Sequence, residues 1–378
     1  MQPSSAPALP ERSTAIALAR RQWIDGMPDA APGDVPVEPW LVRSWQRCLR
    51  AGHRPQQRVQ FNAVSRGAAQ RVAERSRPLV EAARPVLERL SRALADTRYF
   101  AILTDADGIV VDVGARPAGS DAADRHARDI ARVGIDLSER AVGTTAIGAV
   151  LAERAPVWLH RAEHFFDDTG IYSCAGAPLF GPQGDCIGML DLTGVQVVER
   201  PELRHLAMLS ARSIENALVR RQPHALLLQF NWPGCAGGED ADGLLGLDRD
   251  GHVCATNALA RQMLHRSLQQ SAGAPLNAVD LFALPLDALW DAARREATLE
   301  IPLWSGLRLQ GWPRLAQSLR STRAASATPP RQRLRDVESA LIRKAVEEAQ
   351  GNVAEAARTL GISRATVYRK LAPAKRAG

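Results

Sequence analysis

The stretch GNVAEAARTLGISRATVYRKL, residues 351–371, sets the architecture of the C-terminal end of the chain. Asn352 can cap a helix whose apolar residues recur at helical spacing, and Gly361 supplies the left-handed conformation at which helices commonly end. The helix that follows this glycine carries Arg364 and Arg369. Two short helices joined by a glycine turn, the second of them basic, predict a DNA-binding helix-turn-helix.

The second predicted helix has a polar, cationic outer face. Successive helical residues are about 100° apart, so Val367 and Leu371 point to the core and Arg369 points away from it. Such a face suits guanine edges and phosphates, and the free N–H groups at a helix start can also hold a phosphate. The predicted DNA-binding residues are Asn352, Ser363, Arg364, Ala365, Thr366, Tyr368, Arg369 and Lys370.

The charge distribution agrees with this prediction. The chain has 378 residues and a formal net charge of +7, but residues 314–378 alone hold 14 Lys and Arg against 5 Asp and Glu. A basic terminal segment on a nearly neutral body is typical of a polyanion-binding module joined to another domain. The only lysines are Lys344, Lys370 and Lys375, so residues 1–343 can contain neither a P-loop lysine nor a Schiff-base lysine.

The bulk composition predicts a cytoplasmic protein without a membrane partner. The five cysteines form no C-x-x-C pair, which favours reduced thiols. No apolar run reaches the ~18 residues of a membrane span. The N-terminus lacks the basic-then-apolar order of a signal peptide.

The middle of the chain has strand patterns flanked by helical ones. YFAILTDADGIVVDVG (99–114) has two apolar runs joined by Asp-Ala-Asp-Gly, which predicts a β-hairpin with glycine at a positive φ. LLGLDRDGHVCATN (244–257) repeats that Asp-x-Asp-Gly hairpin in a second, smaller unit. Further strands are predicted within 155–160, 177–181, 185–194 and 307–312, with helices at 146–155, 201–221 and 258–264.

These patterns predict an α+β multidomain chain. A helical patch around Ile16–Ile24 is the only order expected before residue 39. The predicted segments are a disordered N-terminus (1–38), a helical N-terminal segment (39–98), an α/β sensor domain (99–221), a linker (222–240), a smaller α+β domain (241–313), a basic flexible linker (314–332) and an all-α helix-turn-helix (333–373).

These segments resemble two known protein families. Residues 351–371 closely resemble the Fis-type helix-turn-helix that ends many bacterial enhancer-binding regulators. Five stretches resemble the GAF sensor of acetoin-catabolism-type regulators, in which a PAS-like segment follows the GAF domain: SWQRCLRAG (44–52), VGTTAIGAVL (142–151), EHFF (163–166), SCAGAPLFGPQG (173–184) and IGMLDLTG (187–194). The resemblance implies a GAF-like sensor over 99–221 and a PAS-like unit over 241–313.

The same resemblance implies partners. The helix predicted at 334–349 would pair two chains, and a homodimer would set its two recognition helices about one DNA turn apart. The expected partners are therefore double-stranded DNA with a palindromic operator, a small-molecule effector, a second copy of the chain, and RNA polymerase. No cofactor and no catalytic residue are expected.

The chain departs from the family in one large respect. Only residues 314–332 separate the PAS-like unit from the Fis-type helices, where the family places an AAA+ ATPase that acts on sigma-54 promoters. No G-x-x-x-x-G-K-[ST] motif occurs. The prediction is a regulator, not an enzyme, that responds to a ligand without hydrolysing ATP. A smaller departure is Thr145, where the family usually has Asn.

Four residues are candidates for the wall of an effector pocket, because such pockets are mostly apolar with a few polar groups. They are Trp158, Phe165, Phe166 and Cys174. The alternative for each is ordinary core packing. A redox pair of Cys174 with Cys186 is a further alternative, although cysteines are often buried simply as small apolar residues.

Two other functions compete with an effector-responsive regulator. An architectural protein would bind DNA with low sequence specificity. A zinc hydrolase would use His160, Glu163 and His164, which form a literal H-x-x-E-H motif. Zinc needs both histidines on one helix face and a third ligand, whereas the motif here follows a strand-like run.

Overall fold

A computed structural model describes residues 12–26, 37–115, 119–235, 238, 240–264, 276–316, 346, 349, 352–359 and 367. The chain divides into two compact units, Met1–Ala316 and Gln317–Gly378. Among the described residues, no helix is long and apolar enough to cross a bilayer.

In the part of the chain described before the first sheet, three helices occur: α1 (Arg12–Trp23), α2 (Pro39–Arg50) and α3 (Arg66–Ala93). The helical patch predicted around Ile16–Ile24 corresponds to α1, which begins at Arg12, so the disorder predicted for 1–38 does not apply to residues 12–26. Ile16 and Ala19 of α1 are buried in a cluster with Trp45 of α2, so the N-terminal helix is packed and not free.

The first sheet has five antiparallel strands in the order β2-β1-β5-β4-β3. The strands are β1 (Tyr99–Asp105), β2 (Val110–Val113), β3 (Val157–His160), β4 (Tyr172–Phe180) and β5 (Cys186–Val195). The predicted hairpin between β1 and β2 is confirmed, and Gly108 has a φ of 83°. Asp105 Oδ1 fixes this turn by accepting the N–H groups of Asp107 at 3.0 Å and Ile109 at 2.9 Å.

Helices cover both faces of this sheet. One face packs against α3 and α7 (Leu203–Arg221), through residues such as Leu87, Leu190 and Ile214. The other face packs against α4 (Ala122–Ile130), α5 (Glu139–Val142) and α6 (Ala146–Glu153). Side chains that alternate along each strand therefore enter two separate cores.

A second sheet of five antiparallel strands has the order β8-β7-β6-β10-β9. Its strands are β6 (Leu226–Asn231), β7 (Gly243–Leu247), β8 (Val253–Thr256), β9 (Leu299–Pro302) and β10 (Arg308–Leu315). Its helices are α8 (Ala258–Met263), α9 (Ala278–Leu281) and α10 (Leu286–Arg295). The second Asp-x-Asp-Gly hairpin is confirmed, and Gly251 has a φ of 85°.

The linker predicted over 222–240 is corrected by β6, which is the central strand of this second sheet. Leu226, Leu228 and Phe230 alternate along β6 and are fully buried. β6 pairs with β7 on one side and with β10 on the other. The smaller α+β unit thus includes Leu226–Asn231, which precede the predicted boundary at 241.

The C-terminal unit contains α11 (Val353–Thr359) among its described residues. The predicted cap at the start of this helix is confirmed: Asn352 Oδ1 accepts the Glu355 N–H at 3.3 Å, and Asn352 Nδ2 donates to Glu355 Oε2 at 3.4 Å. Ala357 and Val367 are buried against one another. The prediction that Val367 is a core residue is therefore confirmed.

Candidate functional site

A cavity lies inside the first unit, between the first sheet and the helices α4 to α6. Its volume is about 30 Å³, which exceeds the roughly 10–15 Å³ that one buried water needs. Its lining is apolar except for a few polar groups, as in small-molecule sites generally. The lining residues are Phe61, Ile102, Ile130, Leu137, Val142, Thr145, Ile147, His164, Thr169, Tyr172, Cys174, Asp191 and Thr193.

Strand register brings the polar lining groups together. Cys174 on β4 lies opposite Thr193 on β5. Tyr172, two residues before Cys174 on the same strand, lies on the same face of the sheet. Asp191 precedes Thr193 by two residues, so both side chains leave the same face of β5. Their neighbours Leu190 and Leu192 enter the other core.

The Asp191 carboxyl is buried and only partly satisfied. Thr193 donates a short hydrogen bond from its hydroxyl to Asp191 Oδ2. The second oxygen, Oδ1, is buried without a hydrogen-bond partner among the described residues. Burial raises the pKa of Asp191 to about 7, against the lowering effect of the Thr193 hydrogen bond. A buried polar group without a partner is costly, so a group that donated a hydrogen bond to this oxygen would be stabilising.

Cys174 and His164 extend the series of polar contacts that begins with Asp191 and Thr193. The Cys174 sulfur lies 3.5 Å from Thr193 Oγ1 and 3.7 Å from His164 Nε2. Burial lowers the pKa of His164 to about 4, so its ring is neutral near pH 7. His164 Nδ1 lies 2.9 Å from the Arg161 carbonyl oxygen, which can only accept, so Nδ1 carries the proton and Nε2 faces the thiol as an acceptor. Burial also raises the pKa of the Cys174 thiol well above its usual range, which keeps it protonated.

One wall of the cavity belongs to the segment 161–171, which contains the two 3₁₀ turns Arg161–Glu163 and Asp167–Ile171. Arg20 of α1 holds this segment from outside. Its guanidinium donates to the carbonyl oxygens of Ala162 at 3.0 Å, His164 at 2.6 Å and Phe165 at 3.1 Å. The N-terminal helix therefore fastens the segment that supplies His164 and Thr169 to the cavity.

A second pair of contacts fastens the same wall. The buried Glu163 carboxylate forms an ion pair with Arg12, and the Trp45 indole N–H donates to the Glu163 carbonyl oxygen at 2.9 Å. Burial raises the pKa of Glu163, although the charge of Arg12 opposes that shift.

Only one of the four predicted pocket residues, Cys174, lines the cavity. Trp158 lies on the opposite face of β3, in the core shared with α3 and α7, with the Arg12 guanidinium 3.9 Å from its ring centroid. Phe165 and Phe166 are buried against α1 and α2, in the cluster that contains Trp45. The structure thus separates the aromatic candidates from the thiol.

The prediction missed Asp191, Thr193 and His164 as lining residues. One signal was readable, because IGMLDLTG (187–194) places an aspartate inside an otherwise apolar strand. A charged side chain at such a position is almost never fully buried without a partner.

His160, Glu163 and His164 do not come together as metal ligands. Glu163 is held by Arg12, and the H-x-x-E-H motif spans a strand end and a 3₁₀ turn and not one helix face. Within the described part of the chain, the one cluster of three possible ligands is Asp248, Asp250 and His252, at the exposed second hairpin.

Cys174 and Cys186 are both free thiols. Along the β4–β5 pair Cys174 is opposite Thr193, whereas Cys186 is opposite Phe180. These positions are roughly 20 Å apart at the rise of a β-strand, which is too far for a disulfide.

Of the predicted DNA-binding residues, the structure describes Asn352, which is exposed and caps α11. The other predicted residues lie outside the described residues, and they are Ser363, Arg364, Ala365, Thr366, Tyr368, Arg369 and Lys370.

Comparison with known proteins gives two family matches. Residues 14–216 match the family described as MimR, N-terminal domain, and residues 333–372 match the bacterial regulatory protein Fis family. Both the sensor and the DNA-binding segment thus have known relatives.

Two of the curated relatives are named as regulatory proteins. The acetoin catabolism regulatory protein of Cupriavidus necator is 32% identical over 62% of this chain and 36% of its own length. The propane 2-monooxygenase operon transcriptional activator MimR of Mycolicibacterium smegmatis is 32% identical over 53% of this chain and 32% of its own. The match spans about a third of each relative.

Among solved structures, the E. coli DhaR(N)–DhaL complex matches with a TM-score of 0.43 and 14% identity, over 74% of this chain and 100% of that one. That likeness is too weak to support a functional argument.

Proposed function

The chain belongs to the MimR N-terminal domain family, and from this premise we propose that it is a sequence-specific DNA-binding transcriptional regulator whose sensor domain binds a small organic effector. The order of the segments supports this proposal, since the Fis-type segment at 333–372 follows the sensor. Relatives named as regulators of catabolic operons support it as well.

One observation carries the effector part of the proposal, namely the unpartnered oxygen of Asp191 inside a small, mostly apolar cavity. Leaving a buried acceptor unsatisfied costs about 1–3 kcal/mol, and a ligand that supplies the missing hydrogen bond recovers part of that cost. Apolar side chains around it would bury the remainder of a small organic molecule. The unsatisfied oxygen adds nothing to the stability of a purely structural core.

We assign the sensor to the GAF type and the second sheet to the PAS-like type. The proposed boundaries are 99–221 for the sensor and 333–373 for the DNA-binding domain. The PAS-like unit extends from Leu226 to Leu315, since β6 belongs to its sheet.

The DNA-binding residues of this proposal are those that the sequence predicts around the second Fis-type helix. Arg364 and Arg369 would contact base edges, and Lys370 would contact phosphates. Two chains would bind a palindromic operator as a homodimer. RNA polymerase is a further partner in this proposal.

The proposed regulator acts in the cytoplasm without an ATPase step of its own. No P-loop motif occurs in the sequence, and residues 1–343 contain no lysine that could reach a nucleotide phosphate. Effector binding would instead shift the sensor between two states that differ in affinity for the effector. The chain in this proposal is not an enzyme.

Selection of genomic fragments by the purified chain tests the DNA-binding part. A specific regulator should bind selected fragments about 10³-fold or more tightly than unrelated duplexes at physiological salt. Equal affinity for all duplexes would indicate an architectural protein instead.

A further inference from the structure

We infer that the two sheets of the first unit are joined into one structure that unfolds cooperatively. The joint consists of the helix α7, the turn at residues 181–185 between β4 and β5, and the start of α8, and Glu215 connects its two sides. The Fis-type segment follows the second sheet along the chain. The joint would therefore pass a change in β4 and β5 towards the DNA-binding end, and this consequence alone rests on the proposed function.

The helix α7 packs against both sheets. Ala211 and Ile214 are buried in the core that α7 shares with α3 and the first sheet. Val219, near the C-terminal end of the helix, is buried instead with Leu244 and Ala255 of the second sheet. Because its buried residues are divided in this way, α7 cannot separate from either sheet without exposing apolar surface to water.

Glu215 uses its two carboxylate oxygens on opposite sides of the joint. Oε1 accepts the Phe180 N–H of β4 at 2.9 Å, and Oε2 accepts the Ala258 N–H at the start of α8 at 3.4 Å. Glu215 is only 3% exposed, so both bonds are sheltered from water. A carboxylate offers two acceptor oxygens and an amide only one, so a glutamine could keep one of these two bonds and not both.

The next residue of α7, Asn216, contacts the second sheet as well. Asn257 Nδ2 donates to Asn216 Oδ1 at 2.8 Å. Asn257 Oδ1 accepts the Ala260 N–H at 2.8 Å, which caps α8, and the Leu244 N–H of β7 at 3.0 Å. The side chain that organises the start of α8 is thus itself bound to α7, and both asparagines are buried.

The turn between β4 and β5 contacts the second sheet directly. The Thr256 N–H of β8 donates to the Pro182 carbonyl oxygen at 2.8 Å. The Arg261 guanidinium of α8 donates to the carbonyl oxygens of Gly181 at 3.3 Å and Thr256 at 2.7 Å. Since β4 and β5 also carry Cys174 into the cavity wall opposite Thr193, the strands of the cavity end at the joint.

Hydrogen exchange of the full chain, followed by mass spectrometry over a series of urea concentrations, tests the joint. The measurement is made at pH 8, where the Glu215 carboxyl is mainly ionised. The amides of β5 and β6, the central strands of the two sheets, are the probes. In the wild-type chain both strands should lose protection in one transition at the same urea concentration, because structures that open together exchange together.

Two substitutions in the joint should separate the strands. Glu215→Gln removes one bridging bond and leaves a buried N–H without an acceptor, and Val219→Ala removes apolar contact with the second sheet. The first sheet keeps α3 on one face and α4 to α6 on the other, whereas the second sheet loses part of its hold on α7. Exchange of β6 should therefore become at least tenfold faster relative to β5 than in the wild-type chain.

The matched controls are Glu163→Gln and Val86→Ala. Glu163 is a buried acid that contacts Arg12 and the His160 N–H, and Val86 is buried in the core between α3 and the first sheet. Neither residue belongs to the joint. Both controls should change the exchange of β5 and β6 by the same factor.

Two results would overturn the inference. Loss of protection in β6 at a lower urea concentration than in β5 of the wild-type chain would show independent sheets, and this result needs no variant to fold. Joint variants that leave the ratio of β6 to β5 exchange as the controls do would show that Glu215 and Val219 stabilise the unit only locally. Neither measurement uses DNA or an effector, so a failure of the joint and a failure of the proposed function are separate results.

Discussion

The Arg20 guanidinium donates a 2.6 Å hydrogen bond to the main-chain oxygen of His164, although the two residues are 144 positions apart. Through this contact α1 holds the backbone of a residue that lines the cavity. The same guanidinium also donates to Asp167 Oδ1 at 3.0 Å. The N-terminal helix is therefore packed against the sensor and supports one wall of its cavity.

Replacing Arg20 should destabilise the sensor. Arg20→Ala leaves three carbonyl oxygens without this donor, and hydrogen bonds from charged groups contribute about 1.5–3 kcal/mol. We expect a loss of about 2–3 kcal/mol in the free energy of unfolding, measured by urea denaturation. Arg20→Lys should recover only part of it, because an ammonium lacks the planar fork of the guanidinium. Arg21→Ala, at the exposed neighbouring residue, is the control and should stay within about 0.5 kcal/mol of wild type. Equal effects at both positions would contradict this account of α1.

Asp191 and Glu215 should make the first unit less stable as the pH rises from about 4 to 7, whereas the lowered pKa of His164 acts in the opposite direction. Burial raises the pKa values of both Asp191 and Glu215 to about 7, so the folded state holds protons there that the unfolded chain releases at lower pH. This stabilisation is fully present below the pKa of the unfolded carboxyls and is lost as the pH passes the folded pKa. Each group changes the free energy of unfolding by up to about 1.4 kcal/mol per pH unit.

Urea denaturation at pH 5 and pH 7.5 measures that slope. Asp191→Asn and Glu215→Gln should each flatten it, and the double variant should flatten it further. A slope that the double variant leaves unchanged would show that other groups control the pH dependence.

Substitutions of Cys174 and of Trp158 should have different effects on the affinity for the effector. Cys174 lines the cavity, whereas Trp158 lies on the other face of the sheet. Cys174→Val should therefore change effector affinity, and Trp158→Phe should leave it unchanged within about twofold, equivalent to ~0.4 kcal/mol. Calorimetric titration with any compound that alters DNA binding measures both. The reverse result would place the effector on the opposite face of the sheet.

Phe165→Ala should lower the folding stability of the chain and should not act through direct contact with the effector. Phe165 is fully buried in the cluster between α1, α2 and the cavity wall. Removing such a ring costs about 3–5 kcal/mol through lost burial and the cavity left behind. Thermal unfolding should show that loss, while Phe165→Leu should retain most of the stability. A stable Phe165→Ala chain with impaired effector binding would instead support direct contact with the ligand.

The DNA-binding proposal makes a separate prediction. Arg364→Ala and Arg369→Ala should each weaken binding to a selected fragment by about 1–3 kcal/mol, if both side chains contact base edges. Lys375→Ala should weaken binding to all sequences alike and lower its salt dependence. Fluorescence anisotropy at two salt concentrations separates the two effects. Unaltered specific binding by both arginine variants would exclude this recognition helix.

Local signals in the sequence predicted the elements that depend on neighbours along the chain. The turn at Asp105–Gly108 is of this kind, because Asp105 accepts N–H groups only two and four residues away. The pairing of Asn352 with Glu355 at the start of α11 is equally local. Elements fixed by distant partners were harder to predict.

β6 and the cavity illustrate the difference. Leu226 pairs with Leu315 of β10, and no local pattern reveals so remote a partner, whereas the glycines and proline after Asn231 suggested a linker. The cavity depends on the register of Cys174 against Thr193 and on the face from which Asp191 points. Aromatic residues near the site in sequence, such as Phe165, pack in a different cluster from Cys174, and the sequence alone does not show that separation.

The affinity of the purified chain for one selected genomic fragment, measured with and without a compound that binds the cavity, tests the central claim most directly. An effector-responsive regulator should show a change of at least fivefold, equivalent to about 1 kcal/mol of coupling between the two sites. The Asp191→Val variant should bind the fragment normally and lose that response. An unchanged affinity at saturating concentrations of a compound bound beside Asp191 would contradict the claim.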